Sequence, residues 1–543
     1  MADSPLLAII LLLPLAGTAA VGLLGLRAAR GLTLALMLAE LALALAIFVG
    51  FDGSAGPTLQ RPLIDALGIS LHFGVDGFNL YLLLLTALLF PVVLGCRWAA
   101  EESQSRLYLA LLLALQACLL GTFLAQDLVV FFVFWEAVLI PMLLLVLVFG
   151  GAQRRQAALT FFLYTMAGSV LLLAAVLLLG AAHLDQYGRW AFGFDALATV
   201  HLSPGQQTFV FFAVVLACAI KSPLVPFHAW LPPAYGAASP TGAALMAGLM
   251  SKMGAFGLIK LALPLAPDAA VQWAPLMALL AVTSILYGAV LALRQPAWKP
   301  VIAYASLSHM GFIVLGIFSF QQSAAHGAML QILSHGVTVA GLFLLLGLLE
   351  DRSRVDRQPE GALAQRAPRL AVVAMLLGLA SLALPLTSGF AAEFMVLLGA
   401  FTEGLSAWRA GDGVLRLALA VAATFAVVLG AAYMLRLARA LVFGTGIETR
   451  ALMIDLRPRE ALALAPLLAL VLAAGIVPAV LMSKVQPAAA ALAAFGHDWK
   501  LGRAASAAVP TRTAAAQPTG GAPHPLPPVT APAMPGPRGF HAK

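Results

Sequence analysis

Residues 209–264 read FVFFAVVLACAIKSPLVPFHAWLPPAYGAASPTGAALMAGLMSKMGAFGLIKLALP. Two apolar runs flank a proline-rich interruption, and each run carries a lysine, Lys221 or Lys252, among side chains that belong in hydrocarbon. An apolar stretch of about 20 residues crosses a bilayer as a helix. A charge at the centre of such a helix costs roughly 2.5–3.5 kcal/mol, so intramembrane lysines normally serve ion or proton movement. Pro223 and Pro226 remove helical hydrogen bonds beside Lys221. Broken backbone at that depth is tolerated only where it faces protein or water. The passage therefore reads as a transport path.

The rest of the chain supports that class. Of 543 residues, 62% are hydrophobic and only 10% charged, whereas a soluble domain carries about 25% charged residues. Spanning barrels need short alternating strands with a polar lumen face, and the long apolar runs exclude them. The fold class expected is an all-α polytopic membrane protein. Apolar windows fall near 6–26, 31–50, 77–96, 106–125, 128–149, 158–181, 207–228, 240–264, 271–293, 300–319, 323–349, 370–399, 414–441 and 461–482, about fourteen spans. The first window follows Asp3 where a secretory signal carries Lys or Arg, so it reads as a retained span.

The net charge of +8 does not point to nucleic acid, because the basic residues sit in short loops between spans. Loops after odd-numbered spans hold Arg27 and Arg30; Arg97 and Arg106; Arg154 and Arg155; Arg294 and Lys299; Arg352, Arg354, Arg357, Arg366 and Arg369; and Arg450, Arg457 and Arg459. Even-numbered loops hold little beyond Arg61, Arg189 and Arg409. The bias makes the odd loops cytoplasmic and puts both termini outside. Cys96, Cys118 and Cys218 lack metal or redox spacing and read as small buried hydrophobes. From about residue 504 to 543 an Ala/Pro-rich tail is expected to be disordered.

A second interruption echoes the first: the twelfth span contains LPLTSGFAAEF, with Pro385 and Gly389. Paired discontinuous helices in corresponding positions indicate an inverted repeat. The two lie five spans apart, and an odd offset reverses orientation. The expected organisation is N-terminal spans over 1–105, a first repeat over 106–264, a second over 271–441, and a last span with flanks over 442–503.

Glu136, in FWEAVLIPM, is the candidate ionisable partner of Lys221. In a water-poor site their Coulomb energy is large, so moving Glu136 switches whether Lys221 keeps its proton. Lys252 sits mid-span among small residues. Lys260 reads as a snorkelling side chain, and Glu40 as a buried carboxyl without an assignable partner. His228, His309 and His335 lie in or near spans, and an imidazole can accept and donate at once. His309 and His335 occupy successive spans between Lys252 and Glu393, with Ser306, Ser308, Gln331 and Thr338 able to help water bridge the gaps. No dinucleotide fingerprint, P-loop or metal-ligand set is present in the sequence.

At these residues the chain resembles the antiporter-like subunits of proton-pumping NADH:quinone oxidoreductase, respiratory complex I, and among them the M type. The similarity rests on GVDGFNLYLLLLTALL, FWEAVLIPM, KSPLVPFHAWLP, LMAGLMSKMGAFG, KPVIAYASLSHMGF, LQILSHGVTVAGLFLLLGLLEDR and GFAAEFMVLLGAF, covering about 74–400. Glu393 discriminates, because L- and N-type sisters carry lysine there. The resemblance implies two inverted five-helix repeats with discontinuous helices 7 and 12 and a hydrated axis at mid-membrane. It makes Glu136 and Lys221 an ion pair, Lys252 the central lysine, Glu393 the terminal carboxylate, and His309 and His335 the links. It also implies a non-redox subunit of a bacterial inner-membrane enzyme. NADH, FMN, Fe–S clusters and quinone would then be bound by partner subunits, among them L- and N-type neighbours. Two departures stand out: Tyr235 and Ala237 replace the usual His and Glu after W-L-P, and the usual Asn near Gly389 is missing. A related cation/proton antiporter or membrane-bound hydrogenase subunit shares the same charged core, and a scaffold with vestigial charges is a third reading.

Overall fold

Hydrocarbon offers backbone groups no water, so a chain of this composition must satisfy them inside helices. The computed structural model describes residues 4–53, 56–353, 363–443 and 454–508. Arg354, Arg357, Arg450 and the tail beyond Ala508 lie outside the described residues. The long helices are α1 Pro5–Leu23, α2 Leu26–Gly50, α3 Leu80–Cys96, α4 Arg106–Leu124, α5 Leu128–Phe149, α6 Arg154–Tyr187, α7 Pro204–Lys221 and α8 Pro240–Leu265. They continue as α9 Ala274–Arg294, α10 Trp298–Phe318, α11 Gln322–Ser353, α12 Pro368–Ser381, α13 Ser388–Arg409, α14 Leu415–Phe443, α15 Pro458–Ile476 and α16 Pro478–Ala508. Among the described residues, fourteen helices are long and apolar enough to cross a membrane, with α3 and α12 as shorter apolar helices. The chain forms two units, residues 1–500 and 501–543. Of the second, only the helical backbone through Ala508 is described.

Contacts define two faces. On one, Arg97 pairs with Glu102 and Asp351, and Lys299 with Glu350. Together with Arg154 they line a cleft of about 660 Å³ at the start of α8; we call this the basic face. On the opposite face Lys260 pairs with Asp76, the N–H of Ser4 reaches Thr58, and a short hairpin pairs β1 Thr58–Ile64 with β2 Ile69–Gly74. The purely helical reading of the sequence does not include this hairpin.

Three helix boundaries differ from expectation, each for a stated reason. The twelfth window, 370–399, is two helices, because residues 382–387 leave helical geometry with positive φ at Ala383 and Leu386. The seventh ends at Lys221 rather than near 228, at the proline-rich interruption. The last window, 461–482, stops at Ile476, and Pro478 starts α16. Over residues 484–495 that helix packs against the ends of other spans. Lys484 Nζ donates to the carbonyls of Val49 at 2.9 Å and Phe51 at 2.6 Å, Ala488 abuts Gly77, and Phe495 packs on Phe320. With α12 and α13 as one interrupted crossing and α16 set aside, the described helices make fourteen passes between the two faces.

Candidate functional site

Of the apolar windows in α8, α10 and α11, 100%, 94% and 100% are buried, so polar groups on these helices face protein rather than lipid. Glycines set their spacing. A Cβ on Gly248 would lie 3.2 Å from the Gly336 carbonyl, and one on Gly336 2.9 Å from that of Gly248. Backbones this close are what small residues permit between spanning helices. The crossing places Lys252, one turn beyond Gly248, against His335. Gly327 makes the equivalent approach to α13 at the Ala392 carbonyl, beside Glu393.

The result is a row of two hydrogen-bonded pairs that meet at neighbouring imidazoles. Lys252 Nζ contacts His335 Nδ1 at 2.7 Å and donates to the Ala247 carbonyl at 2.5 Å and Ser251 Oγ at 3.1 Å. The His335 and His309 rings are 5.2 Å apart between centroids. His309 Nδ1 meets Glu393 Oε1 at 2.7 Å, and Gln331 Nε2 donates to the same oxygen at 3.0 Å. His335 Nε2, His309 Nε2, Gln331 Oε1 and Thr338 Oγ1 are buried without a protein partner. Gln331, His335 and Thr338 share one face of α11 by helical spacing, so these atoms form a coherent polar lining suited to water.

Backbone geometry contributes as well. Met246–Met250 is a π-helical turn, and Leu258–Ala262 is another, so wide turns bracket Lys252. Such turns interrupt i→i−4 bonding and are frequent at functional sites. Ala247, inside the first, offers its carbonyl to both Lys252 Nζ and Ser251 Oγ.

Lys221 closes α7, where the helix dipole favours a cation. Its Nζ donates to the Trp135 carbonyl at 3.2 Å and lies 4.8 Å over the indole ring. Glu136 is near enough to act on it through its charge, but no direct Glu136–Lys221 ion pair is formed. Glu136 Oε1 is buried with no partner. The carboxylate sits where α5 breaks between Ala137 and Leu139, because Pro141 has no N–H for the Ala137 carbonyl. Between the lysines, Ser222 Oγ donates to the Ser251 carbonyl and accepts from the Ala255 N–H.

Other candidates lie elsewhere. Lys260 reaches toward the opposite face, to Asp76 Oδ2 at 2.7 Å and Gln126 Oε1 at 3.3 Å. Ser306 and Ser308 donate to the carbonyls of Ile302 and Ile285, and His228 packs on Tyr287 away from the row. Glu40 is buried with neither oxygen partnered. Sequence reasoning missed the Trp135 carbonyl, the Ser334–Ser388 hydroxyl pair at 2.7 Å, and the burial of Tyr235 near Ser251. That side chain is fully buried, its hydroxyl unpartnered beside Ser251. Of these, only the departure at Tyr235 is visible in the sequence.

Comparison with known proteins finds relatives over most of the chain. The family profile described as NADH:quinone oxidoreductase/Mrp antiporter, TM, matches residues 125–415. NADH-quinone oxidoreductase subunit M of Rhodobacter capsulatus is 35% identical over 510 residues, covering 91% of this chain and 97% of that protein. The same-named subunit of Escherichia coli (strain K12) is 32% identical, covering 63% and 68%. A chain of respiratory complex I from Thermus thermophilus with bound NADH superposes with a TM-score of 0.81 at 34% identity, covering 90% of this chain and 99% of that one. A chain of the Mrp complex from Dietzia sp. gives 0.76 at 25% identity, covering 90% and 98%.

Proposed function

The chain belongs to the NADH:quinone oxidoreductase/Mrp antiporter transmembrane family, and from that premise we propose that it is the M-type proton-translocating membrane subunit of an NADH:quinone oxidoreductase. The carrying observation is the row Lys252–His335–His309–Glu393 on buried helices.

The partners assign the tautomers. With the Lys252 ammonium donating, His335 Nδ1 accepts and its proton sits on Nε2; with His309 Nδ1 donating to Glu393, His309 Nε2 is an acceptor. A proton from Lys252 enters His335 Nδ1, the Nε2 proton of His335 crosses through one bridging water to His309 Nε2, and the Nδ1 proton of His309 passes to Glu393. The net change is one proton moved from Lys252 to Glu393. The reset needs both rings to return to their starting tautomers, by rotation or by proton exchange with water, together with re-protonation of Lys252 and release of the proton from Glu393. Glu136 and Lys221 form the switch upstream. As the carboxylate at the broken turn of α5 approaches Lys221, the charged pair is favoured; as it withdraws, Lys221 releases its proton toward Lys252.

In this reading the chain holds no redox centre. NADH, FMN, Fe–S clusters and quinone reside on other subunits, and L- and N-type sisters flank this one in the bacterial inner membrane. The basic face is cytoplasmic, with both termini outside. The breaks after Lys221 and Ser381 carry the same backbone bond, from Leu224 N–H to the Ala219 carbonyl and from Leu384 N–H to the Leu379 carbonyl. That correspondence supports inverted repeats over α4–α8 and α9–α14. The test is Glu136→Gln in the assembled complex: quinone reduction coupled to pumping drops severely while assembly persists, and normal pumping rejects the switch. Copurification of dehydrogenase subunits separates this function from that of a cation/proton antiporter.

A further inference from the structure

A groove of about 320 Å³ runs between α2, α3 and α15 on the outer surface of the helix array. Leu34, Leu38, Leu88, Pro91, Leu462 and Pro466 line it, and Leu462 is 75% exposed. Only at the end toward the basic face does its lining change, to Trp98 and Arg459.

Charge there is unbalanced. Arg30 lies 4.3 Å over the Trp98 ring and donates to the Trp98 carbonyl and to Gln104 Oε1, while its Nε is buried without a partner. Arg459 is exposed and close enough for its charge to act on Arg30. The nearby acids are committed elsewhere: Glu460 to Arg352 and the Arg457 N–H, and Asp455 to the N–H groups of Arg369, Leu370 and Leu456. Arg459 thus lines the groove's end, with Arg30 on the neighbouring Trp98 and within range of its charge, while Glu460 and Asp455 are engaged elsewhere.

We propose that this groove binds an anionic two-chain phospholipid of the phosphatidylglycerol class, its phosphate held by Arg30 and Arg459, its glycerol region against Trp98, and one acyl chain along α2 and α15. Guanidinium forks match phosphate geometry, a tryptophan belongs at the membrane–water interface, and basic pockets between spanning helices suit acidic headgroups. An uncharged lipid or a neighbouring protein helix would leave the mutual repulsion of the two cations uncompensated.

The test uses the whole complex in phosphatidylcholine vesicles doped with phosphatidylglycerol or phosphatidylcholine carrying a photoreactive acyl chain. Cross-linked peptides are mapped by mass spectrometry. We expect phosphatidylglycerol to label residues 34–41, 88–98 and 459–466 preferentially, with Arg459→Gln lowering that preference about fivefold, as befits one interfacial cation. Leu462→Trp, which fills the groove, should abolish labelling by both lipids. Equal labelling by the two probes in the unmodified complex overturns the proposal, as does a preference that survives both Arg459→Gln and Arg30→Gln. Cross-links from these peptides to another subunit instead of lipid would mean that protein covers the groove, and would equally overturn it.

Discussion

Replacing Glu393 by Gln removes the terminal charge of the row and almost nothing else. Glu393 is buried and accepts at Oε1 from His309 Nδ1 at 2.7 Å and Gln331 Nε2 at 3.0 Å. An amide of the same shape still accepts one of these bonds, so folding should survive. What is lost is the attraction between the carboxylate and a proton resting on His309. Two unit charges about 4 Å apart interact by about 4 kcal/mol at an effective dielectric of 20. A third of that is already a factor of ten, since 1.4 kcal/mol corresponds to roughly tenfold. We therefore expect proton pumping to fall at least tenfold, measured as dye quenching in vesicles containing the reconstituted complex, with NADH-driven quinone reduction slowed alongside it and assembly unchanged on native gels. Gln331→Leu is the internal control: it deletes one donor to Glu393 but keeps both charged groups, so its effect should be several-fold smaller. Pumping within twofold of the unmodified complex in Glu393→Gln would refute the row as the proton path.

Other substitutions probe the same geometry. Lys252→Met strips a donor from the Ala247 carbonyl, Ser251 Oγ and His335 Nδ1, so pumping should vanish. Stability should also fall by about 1–3 kcal/mol, the cost of buried unpaired groups, read as a lower temperature of complex dissociation; unchanged pumping would show that the lysine is not on the path. Tyr235→Phe removes a buried hydroxyl with no protein partner, and should leave thermal stability unchanged while slowing pumping if that hydroxyl orders water near Ser251. A lowered melting temperature would contradict this view of the site. Gly336→Val forces side-chain atoms onto the Gly248 carbonyl and should cost at least about 1–3 kcal/mol by overpacking, seen as loss of the assembled complex; normal assembly would mean that α8 and α11 are not held that closely. Lys260→Met breaks a partly exposed ion pair with Asp76, a contact of at most about 1 kcal/mol. The variant should therefore assemble and pump nearly normally, and abolished pumping would instead assign Lys260 to the path.

Legibility in the sequence is set by residue chemistry that declares itself locally. Long apolar runs mark the crossings. Lys221, Lys252, His309, His335 and Glu393 stand out because each is costly in hydrocarbon, and the structure gathers four of them into one row. Pro385 and Gly389 announce the break between α12 and α13. Pro141 causes another in α5, four residues after Ala137, but a single proline in an apolar run looks like continued helix. Illegible are groups whose role belongs to the backbone or to tertiary distance: the Trp135 carbonyl under Lys221, the Ser334–Ser388 contact, and the Asp76 partner of Lys260, which is remote in sequence. The hairpin of β1 and β2 and the turn at Pro478 fall in stretches where hydropathy carries no directional signal.

The two π-helical turns around Lys252 mean that this charge is aimed by residue count as much as by identity. Each wide turn is one surplus residue in the helical register, and so rotates the downstream side chains by roughly 100° relative to an uninterrupted α-helix. Deleting a single residue from 246–250 would leave every ionisable group in place in the sequence, yet swing the ammonium away from His335 to another side of the helix. A one-residue frameshift of geometry in this stretch is thus as consequential as losing the lysine, and related chains can be expected to keep the length between Gly248 and Lys252 fixed even where the intervening side chains vary.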